Sequence, residues 1–398
     1  RAAAAGAARA SAADMQRILI PERADWRTQA ESLGFHFHTI DGEPYWDESA
    51  YYAFSLRQIE DDIEAPTQEL HDMAMQLVDS EALLTRLAIP PFYWDWIANS
   101  WKERDPHLYG RMDLAYSGDG PAKLYELNYD TPTSLYESAY FQWLWLEQQI
   151  ASGALPKGTD QYNLIQDLLC ETLGALAVDG AIGAQMHFAA VRDSLEDRAT
   201  VRYQRDCAHQ VGISTEEVAI EDIGLSAEGW FTDEQDRVIH TLFKLYPLEF
   251  MMEERFGPAL IADRVRLIEP AWKSVLSNKG ILPLLWDRHQ GHPNLLPARF
   301  AQAGEAPTAG WVRKPLLSRE GANIALVTAQ GEAAHTDGPY VDGPAILQAH
   351  HPLPVFDGRH ALVGSWVVAD RPAGLGMRDD DGPITRDTSR FVPHVITD

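Results

Sequence analysis

An α+β architecture follows from three features of this 398-residue sequence. Residues 47–105 carry a helical apolar pattern, 186–224 read as strand–helix–strand, and strand-like runs separated by turn residues dominate from 309 onward. With 45% hydrophobic residues the chain can bury a large core, in two or three domains of roughly 150 residues each. Three regions are expected: 15–185, helical with one hairpin; 186–260, a βαβ-like unit; and 261–398, lobes on an antiparallel sheet. No internal repeat or disordered linker separates them, so they should interlock.

The opening stretch RAAAAGAARASAAD, residues 1–14, is alanine-rich and lacks the leucine-rich centre of a signal peptide. It reads as a disordered tail or upstream extension, with Met15 a candidate start. Within 47–105 apolar residues recur at spacings of three and four, interrupted by Pro66. The runs Leu108–Tyr116 and Ala122–Asn128 flank Ser117-Gly118-Asp119-Gly120-Pro121, a strong turn signal, and predict a β-hairpin. Residues 134–150 form an aromatic-rich helix whose rings belong to the core. MHFAAV is a buried strand, residues 194–212 a helix closing on Gly212, and EEVAIEDI a second strand, which makes one βαβ unit. Residues 233–256 are expected to continue as helix. Beyond 309, GWVRKPLL, ANIALVTA, PAILQAH, HALVGSWVVAD and PAGLGMRDD supply the antiparallel strands.

Charge narrows the partners. Lys and Arg number 33 against 59 Asp and Glu, a formal net charge of -26. A field of that sign repels nucleic acid and anionic lipid, and it favours cationic ligands such as amines unless the acidic surface is simply solvated. The two cysteines, Cys170 and Cys207, sit in no motif and read as reduced, buried thiols. No apolar run reaches the ~18 residues of a membrane span. The expectation is a cytoplasmic protein acting on small molecules, its oligomeric state open.

Two constellations carry chemistry. Asp113 and Glu126 lie at similar distances from the hairpin turn, so pairing brings them together. Arg111 and Asn128 share that face by the period of two. Two carboxylates and an amide oxygen make a hard-oxygen site suited to Mg²⁺, and the guanidinium suits a negatively charged transition state. Ordinary cross-strand charge pairs on a surface hairpin are the other reading. The second constellation is Lys273, Lys279 and Lys314 in apolar or glycine-bearing settings. Lys314 and the small polar loop Ser318–Asn323 suit a phosphate cradle, although no Walker loop is present. A lysine that snorkels to solvent is the alternative. The pairs His36/His38 and His350/His351 read as surface or core histidines.

RMD…ELNYDTPTSLYE, EPAWKSVLSNKGILPLLW, KPLLSREGAN and ITRDTSRFVPH together resemble the glutathionylspermidine synthase family, most closely its stand-alone acid–amine ligases of the ATP-grasp-like superfamily. The likeness runs from about Ile18 to the C-terminus. It implies an ATP-grasp-like fold with ATP held between two β-rich lobes, and ATP- and Mg²⁺-dependent amide formation through an acyl phosphate. A peptide-like carboxylate and a primary amine or polyamine would be the substrates. Nothing matches the amidase domain of the bifunctional members, so amide hydrolysis is not expected.

By resemblance, Asp113, Glu126 and Asn128 are the magnesium ligands and Arg111 steadies the acyl phosphate and tetrahedral intermediate. Lys279 and Lys314 match the ATP-phosphate lysines, with Ser318, Arg319 and Gly321 in the mobile loop above them. Gln348 and Leu353 fall in the adenine-holding segment, and Arg386 on a basic loop near the phosphates. Glu196 and Asp197 match an acidic patch that contacts substrate, for amine binding or proton acceptance, although a solvated helix start fits them equally. The departures lie on the substrate side. Thr131, Thr133 and Ser134 stand where the family has serines and a cysteine, and Ser389 replaces an acidic residue. A ligase with its own acid, amine or both is the expectation; an ATP-binding sensor or scaffold without turnover is the alternative.

Overall fold

The computed structural model describes residues 15–79, 81–341 and 343–397, so the expectation for 1–14 lies outside the described residues. β1 (Gln16–Leu19) pairs antiparallel with β2 (Ala50–Phe54), which also takes the C-terminal strand His394–Ile396 in parallel. This corrects the helical reading of residues 47–105 at its start. AYYAF is buried at all five positions, and its partners lie at the two ends of the chain, so tertiary pairing overrides the local spacing. The helical path follows it. A wide π-helical turn over Gln58–Glu64 leads into α1 (Ala65–Met75), where Pro66 occupies the first turn and breaks nothing.

β3 (Tyr109–Ala115) and β4 (Lys123–Asn128) form the expected hairpin. Its register sets Arg111 opposite Asn128 and Asp113 opposite Glu126, with a bulge immediately after Asp113. The aromatic helix follows as a π turn, Glu137–Phe141, and α2 (Gln142–Ser152); Phe141 and Trp145 are buried, as anticipated. Then come α3 (Ile165–Val178), β5 (Gln185–Ala190), α4 (Leu195–Gln210) and β6 (Ser214–Ala219). β5 and β6 are parallel, so the βαβ unit is present.

The expected helix over 233–256 is mostly not one. Asp233 instead accepts from the backbone N–H groups of Gln235 and Arg237, both at 3.0 Å, which nucleates a turn. β7 (Thr241–Lys244) then enters the parallel sheet beside β5, and only α5 (Leu248–Glu253) is helical. β8 (Arg266–Ile268) extends that sheet on the far side of β7, past the expected boundary at 260.

After α6 (Ile281–Arg288), the strands β9 (Ala298–Phe300), β10 (Trp311–Pro315), β11 (Ala325–Val327), β12 (Ala333–His335) and β13 (Ala345–Ala349) make an antiparallel sheet ordered β9-β13-β10-β11-β12. Finally β14 (Arg359–Val368), β15 (Arg371–Asp380) and β16 (Arg390–Val392) join the hairpin in the order β16-β15-β14-β3-β4, with the short strand Val355–Phe356 also on β14. The hairpin is thus the edge of a sheet whose other strands come some 230 residues later in sequence.

The loop after β4 is anchored to the parallel sheet by charge. Lys244, at the end of β7, pairs with Asp130, and the other Asp130 oxygen accepts Leu248 N–H at 2.8 Å. Both side chains are almost wholly buried, so removing one strands the other charge. Asp130→Ala should therefore cost about 3–5 kcal/mol. Urea denaturation measures it, and a loss under about 1 kcal/mol would show that the pair is not an anchor.

Candidate active site

Where the six-stranded sheet, the β9–β13 sheet and the start of α4 converge, they enclose a cavity of about 250 Å³. The site residues singled out from the sequence line it, except Ser318 and Ser389, which are buried outside its wall, and Lys273, which the structure removes from the lysine constellation: its Nζ is buried against Glu269 Oε2 at 2.6 Å and the Tyr109 carbonyl at 2.6 Å.

At its centre Arg111 grips Asp113 with Nε on Oδ1 (2.7 Å) and Nη2 on Oδ2 (3.2 Å). Its Nη1 donates to the Thr133 carbonyl at 2.6 Å. Gly364 faces Asp113 in register, and a Cβ there would lie 2.9 Å from Arg111 Cδ, so only glycine leaves the guanidinium its place. The Asn128 amide NH₂ bridges the two carboxylates, 3.1 Å from Asp113 Oδ2 and 3.2 Å from Glu126 Oε1. Lys279 Nζ lies 2.8 Å from Glu126 Oε2 and donates to the Ser318 carbonyl at 2.5 Å. Lys314 Nζ donates to Gln348 Oε1 (2.7 Å) and the Tyr125 carbonyl (3.1 Å). The Gln348 NH₂ reaches across to the Leu124 carbonyl at 3.1 Å, so this amide orients the lysine.

Charge follows geometry. Burial pushes Glu126 up, but Lys279 and Lys314 outweigh it and hold the carboxyl down at about 2. Burial pushes Asp113 up as well, and there Arg111 offsets only part of it. Burial brings the Lys314 ammonium down to about 8 against the pull of Glu126.

Beside Lys314 the wall turns apolar. Leu353 packs with Ala115, Leu362 and Tyr125, and Val312, Ile324 and Leu326 form a second small cluster with Ile384. The segment 318–323 closes over the lysines. Gly321 sits at φ +73, where a Cβ would fall 2.4 Å from the Thr385 carbonyl, so this close approach requires glycine. Arg319 is held by Glu249 (Nη2 to Oε1, 2.6 Å) and donates to Thr131 Oγ1 at 2.7 Å. Arg386, largely exposed, reaches Asp380 Oδ1 at 3.1 Å; Ser389 Oγ donates to the other oxygen of Asp380 at 2.5 Å.

The far end is acidic. Glu196 and Asp197 open α4, where Ser194 Oγ accepts the Asp197 N–H at 3.2 Å as a helix cap. Burial, with Glu137 nearby, pushes Glu196 up to about 8. Three residues here escaped the sequence reading: Arg378, Tyr45 and Glu137. Arg378 donates to the Ser389, Arg386 and Asp387 carbonyls. Ser134, in the left-handed region at φ 68, has its Oγ 3.0 Å from Tyr45 OH and 3.4 Å from Arg378 Nη1. Tyr45 OH donates to Glu137 Oε1 at 2.6 Å, and Glu137 Oε2 is buried without a partner. An arginine inside the apolar run PAGLGMRDD was the one signal that pointed here. Among the described residues no helix is long and apolar enough to cross a membrane.

Lys314 offers a direct test of these electrostatics. Its ε-carbon NMR titration should give a midpoint near 8, and Glu126→Gln, which removes the nearest anion, should lower it further. A midpoint near 10.5, the ordinary lysine value, would contradict the burial seen here.

Comparison with known proteins places this geometry. A protein of Haemophilus influenzae named "Putative acid--amine ligase" is 37% identical over 397 residues, covering 96% of this chain and 99% of its own. Trypanothione synthetase of Crithidia fasciculata is 29% identical over 353 residues, covering 81% of this chain but only 53% of that protein. The bifunctional glutathionylspermidine synthetase/amidase of Escherichia coli is 25% identical, covering 93% and 63%. The chain thus spans about half to two thirds of these two longer relatives. A glutathione synthetase-like effector from Globodera pallida shares the fold, with a TM-score of 0.57 at 11% identity over 94% of this chain and 96% of that one. The sequence profile of the glutathionylspermidine synthase preATP-grasp family matches residues 17–397, and the chain belongs to that family.

Proposed function

We propose that the chain is an ATP- and Mg²⁺-dependent carbon–nitrogen ligase that joins a peptide-like carboxylate to a primary amine or polyamine. One observation carries the reading: a single cavity holds three buried cations around two carboxylates at one end, and at the other an acidic bank in which Arg378 offsets only part of the shift of Glu196. A polyphosphate suits the first end and an ammonium group the second.

The residues divide the work accordingly. Lys279 and Lys314 sit where they neutralise phosphate oxygens, with 318–323 as the cover and the apolar wall around Leu353 as the slot for the base. On this reading the nucleotide would lie between two β-rich lobes. Asp113, Glu126 and Asn128 form a hard-oxygen set that fits Mg²⁺. Among the described residues no three His, Cys, Asp or Glu side chains converge, so such a cation takes two carboxylates and an amide and fills its shell with other oxygens. Asn128 presents its NH₂ to those carboxylates, and a half-turn of the amide brings its oxygen round. When bound, ATP and its metal supply the phosphoryl group that makes a carboxylate into an acyl phosphate, a good acyl donor. Arg111, fixed by Asp113 and the Thr133 carbonyl, aims its charge at the junction between the two ends, where the oxyanion of amide formation needs it. The loop Thr131–Ser134 lines the acid's position. Burial holds Glu196 at about 8, so an incoming ammonium that pairs with it favours its ionised form; with Asp197 beside it, Glu196 is the group to bind the amine and, once ionised by that pairing, to take up its proton.

Arg111→Ala should lower product formation roughly 100- to 1,000-fold while leaving ATP affinity unchanged; if affinity collapses too, Arg111 serves nucleotide binding instead. The activity itself is tested by an ADP-release screen over paired carboxylates and amines, with products identified by mass. ATP bound without ADP release across the panel would point to a nucleotide sensor.

A further inference from the structure

The chain's two cysteines lie outside the cavity and take no part in the chemistry above. They come from facing helices. Cys170 is in α3 and half-buried; Cys207 is in α4 and fully buried. The Cys170 Sγ lies 3.8 Å from the Cys207 carbonyl oxygen and 3.8 Å from Gln210 Oε1. The neighbouring Cys207 brings the Cys170 thiol down to about 7, and Cys170 with burial pushes Cys207 up. Cys207 belongs to the apolar core and Cys170 packs at its edge, so one member is open to small reagents and touches the residue that carries the other.

We propose that Cys170 and Cys207 are a redox-active pair that closes to a reversible disulfide between α3 and α4. Cys170 is the attacking thiol. Its sulfur displaces the leaving oxygen of a hydroperoxide, giving a sulfenic acid and releasing an alcohol, or water when the oxidant is hydrogen peroxide. The Cys207 sulfur then attacks the Cys170 sulfur. The S–S bond forms, the S–O bond breaks, and the hydroxyl leaves as water with the Cys207 proton. Two thiols are oxidised by two electrons, and the peroxide O–O bond is reduced by the same two.

The position gives the bond a consequence. α3 packs on β14 and β15, which carry the hairpin with Arg111 and Asp113, and α4 begins with Glu196 and Asp197. The disulfide therefore fastens the acidic end of the cavity to the sheet that holds its centre. This inference does not rest on the ligase reading.

The test is peroxide treatment of the whole wild-type chain, followed by blocking of free thiols and digestion without reduction. The expected product is one linked peptide pair holding Cys170 and Cys207, lost on adding dithiothreitol. In Cys207→Ser, Cys170 should accumulate as a sulfenic acid trapped by dimedone; in Cys170→Ser, Cys207 should stay reduced at the same dose. Two blocked thiols in treated wild type, over-oxidation of Cys170 without the linked pair, or disulfides only between separate chains would overturn the proposal. The wild-type measurement stands whether or not the buried Cys207 tolerates substitution.

Discussion

Two carboxylates set opposite each other in a largely buried sheet, Asp113 and Glu126, dictate much of what surrounds them. Side by side in a low-dielectric wall they repel, and neither stays ionised without cations close by. The chain brings those cations from separate places. Arg111 comes from the same strand, Lys279 from the segment before α6, and Lys314 from β10 in another sheet. Satisfying the hairpin therefore draws the β9–β13 sheet against it. The fall of Glu126 from 4.5 to about 2 corresponds to about 3 kcal/mol in favour of its ionised form. Since the folded value lies below the unfolded one, that stabilisation is present above about pH 4.5 and disappears as the pH falls through 2.

The same cluster is built to exchange partners. The two lysines also hold neutral groups that an anion can replace: Lys279, beside its pair with Glu126, the Ser318 carbonyl, and Lys314 the Gln348 amide and a main-chain oxygen. A ligand that recruits Lys279 releases the carbonyl of the first residue in the 318–323 cover. Arg319, in that cover, holds Thr131 and Glu249. Hydrogen bonds through Ser318 and Arg319 thus connect the cationic end to the loop after β4.

How much of this was legible in the sequence depended on sequence distance. The hairpin could be read because its turn, SGDGP, fixes the register of its arms, and Asp113 and Glu126 do pair. Arg111 and Asn128 could be placed because a period of two is a local signal; an apolar setting marks Lys273 as readily as Lys279 and Lys314, and could not tell the cavity lysines from the one that Glu269 holds. The strand Ala50–Phe54 could not be read, because its identity comes from partners at residues 16–19 and 394–396. Thr241–Lys244 was hidden by a turn that the Asp233 side chain makes. Tyr45 and Arg378 meet Ser134 from two remote segments, and no spacing announces that meeting; Glu137, three residues beyond Ser134, joins through Tyr45.

The stretch Asp130–Ser134 is where the two ends of the cavity are joined. Asp130 holds the parallel sheet, Thr131 takes Arg319, the Thr133 carbonyl takes Arg111, and Ser134 meets Tyr45 and Arg378. Apart from Pro132, each residue is thus tied to an element that also positions a charged group. A substitution here shifts a cation as well as reshaping the acid's seat. At the acidic end the network is incomplete: Tyr45 takes one Glu137 oxygen, the other is buried without a partner, and Glu196 is held well above the carboxylate range. Burial is what disfavours charge on these groups, so a bound cation relieves them most, whereas a neutral guest leaves the penalty in place. On the ligase reading proposed above, selectivity for the acid would be constrained by this tied-down loop, and selectivity for the amine by the charge that guest brings.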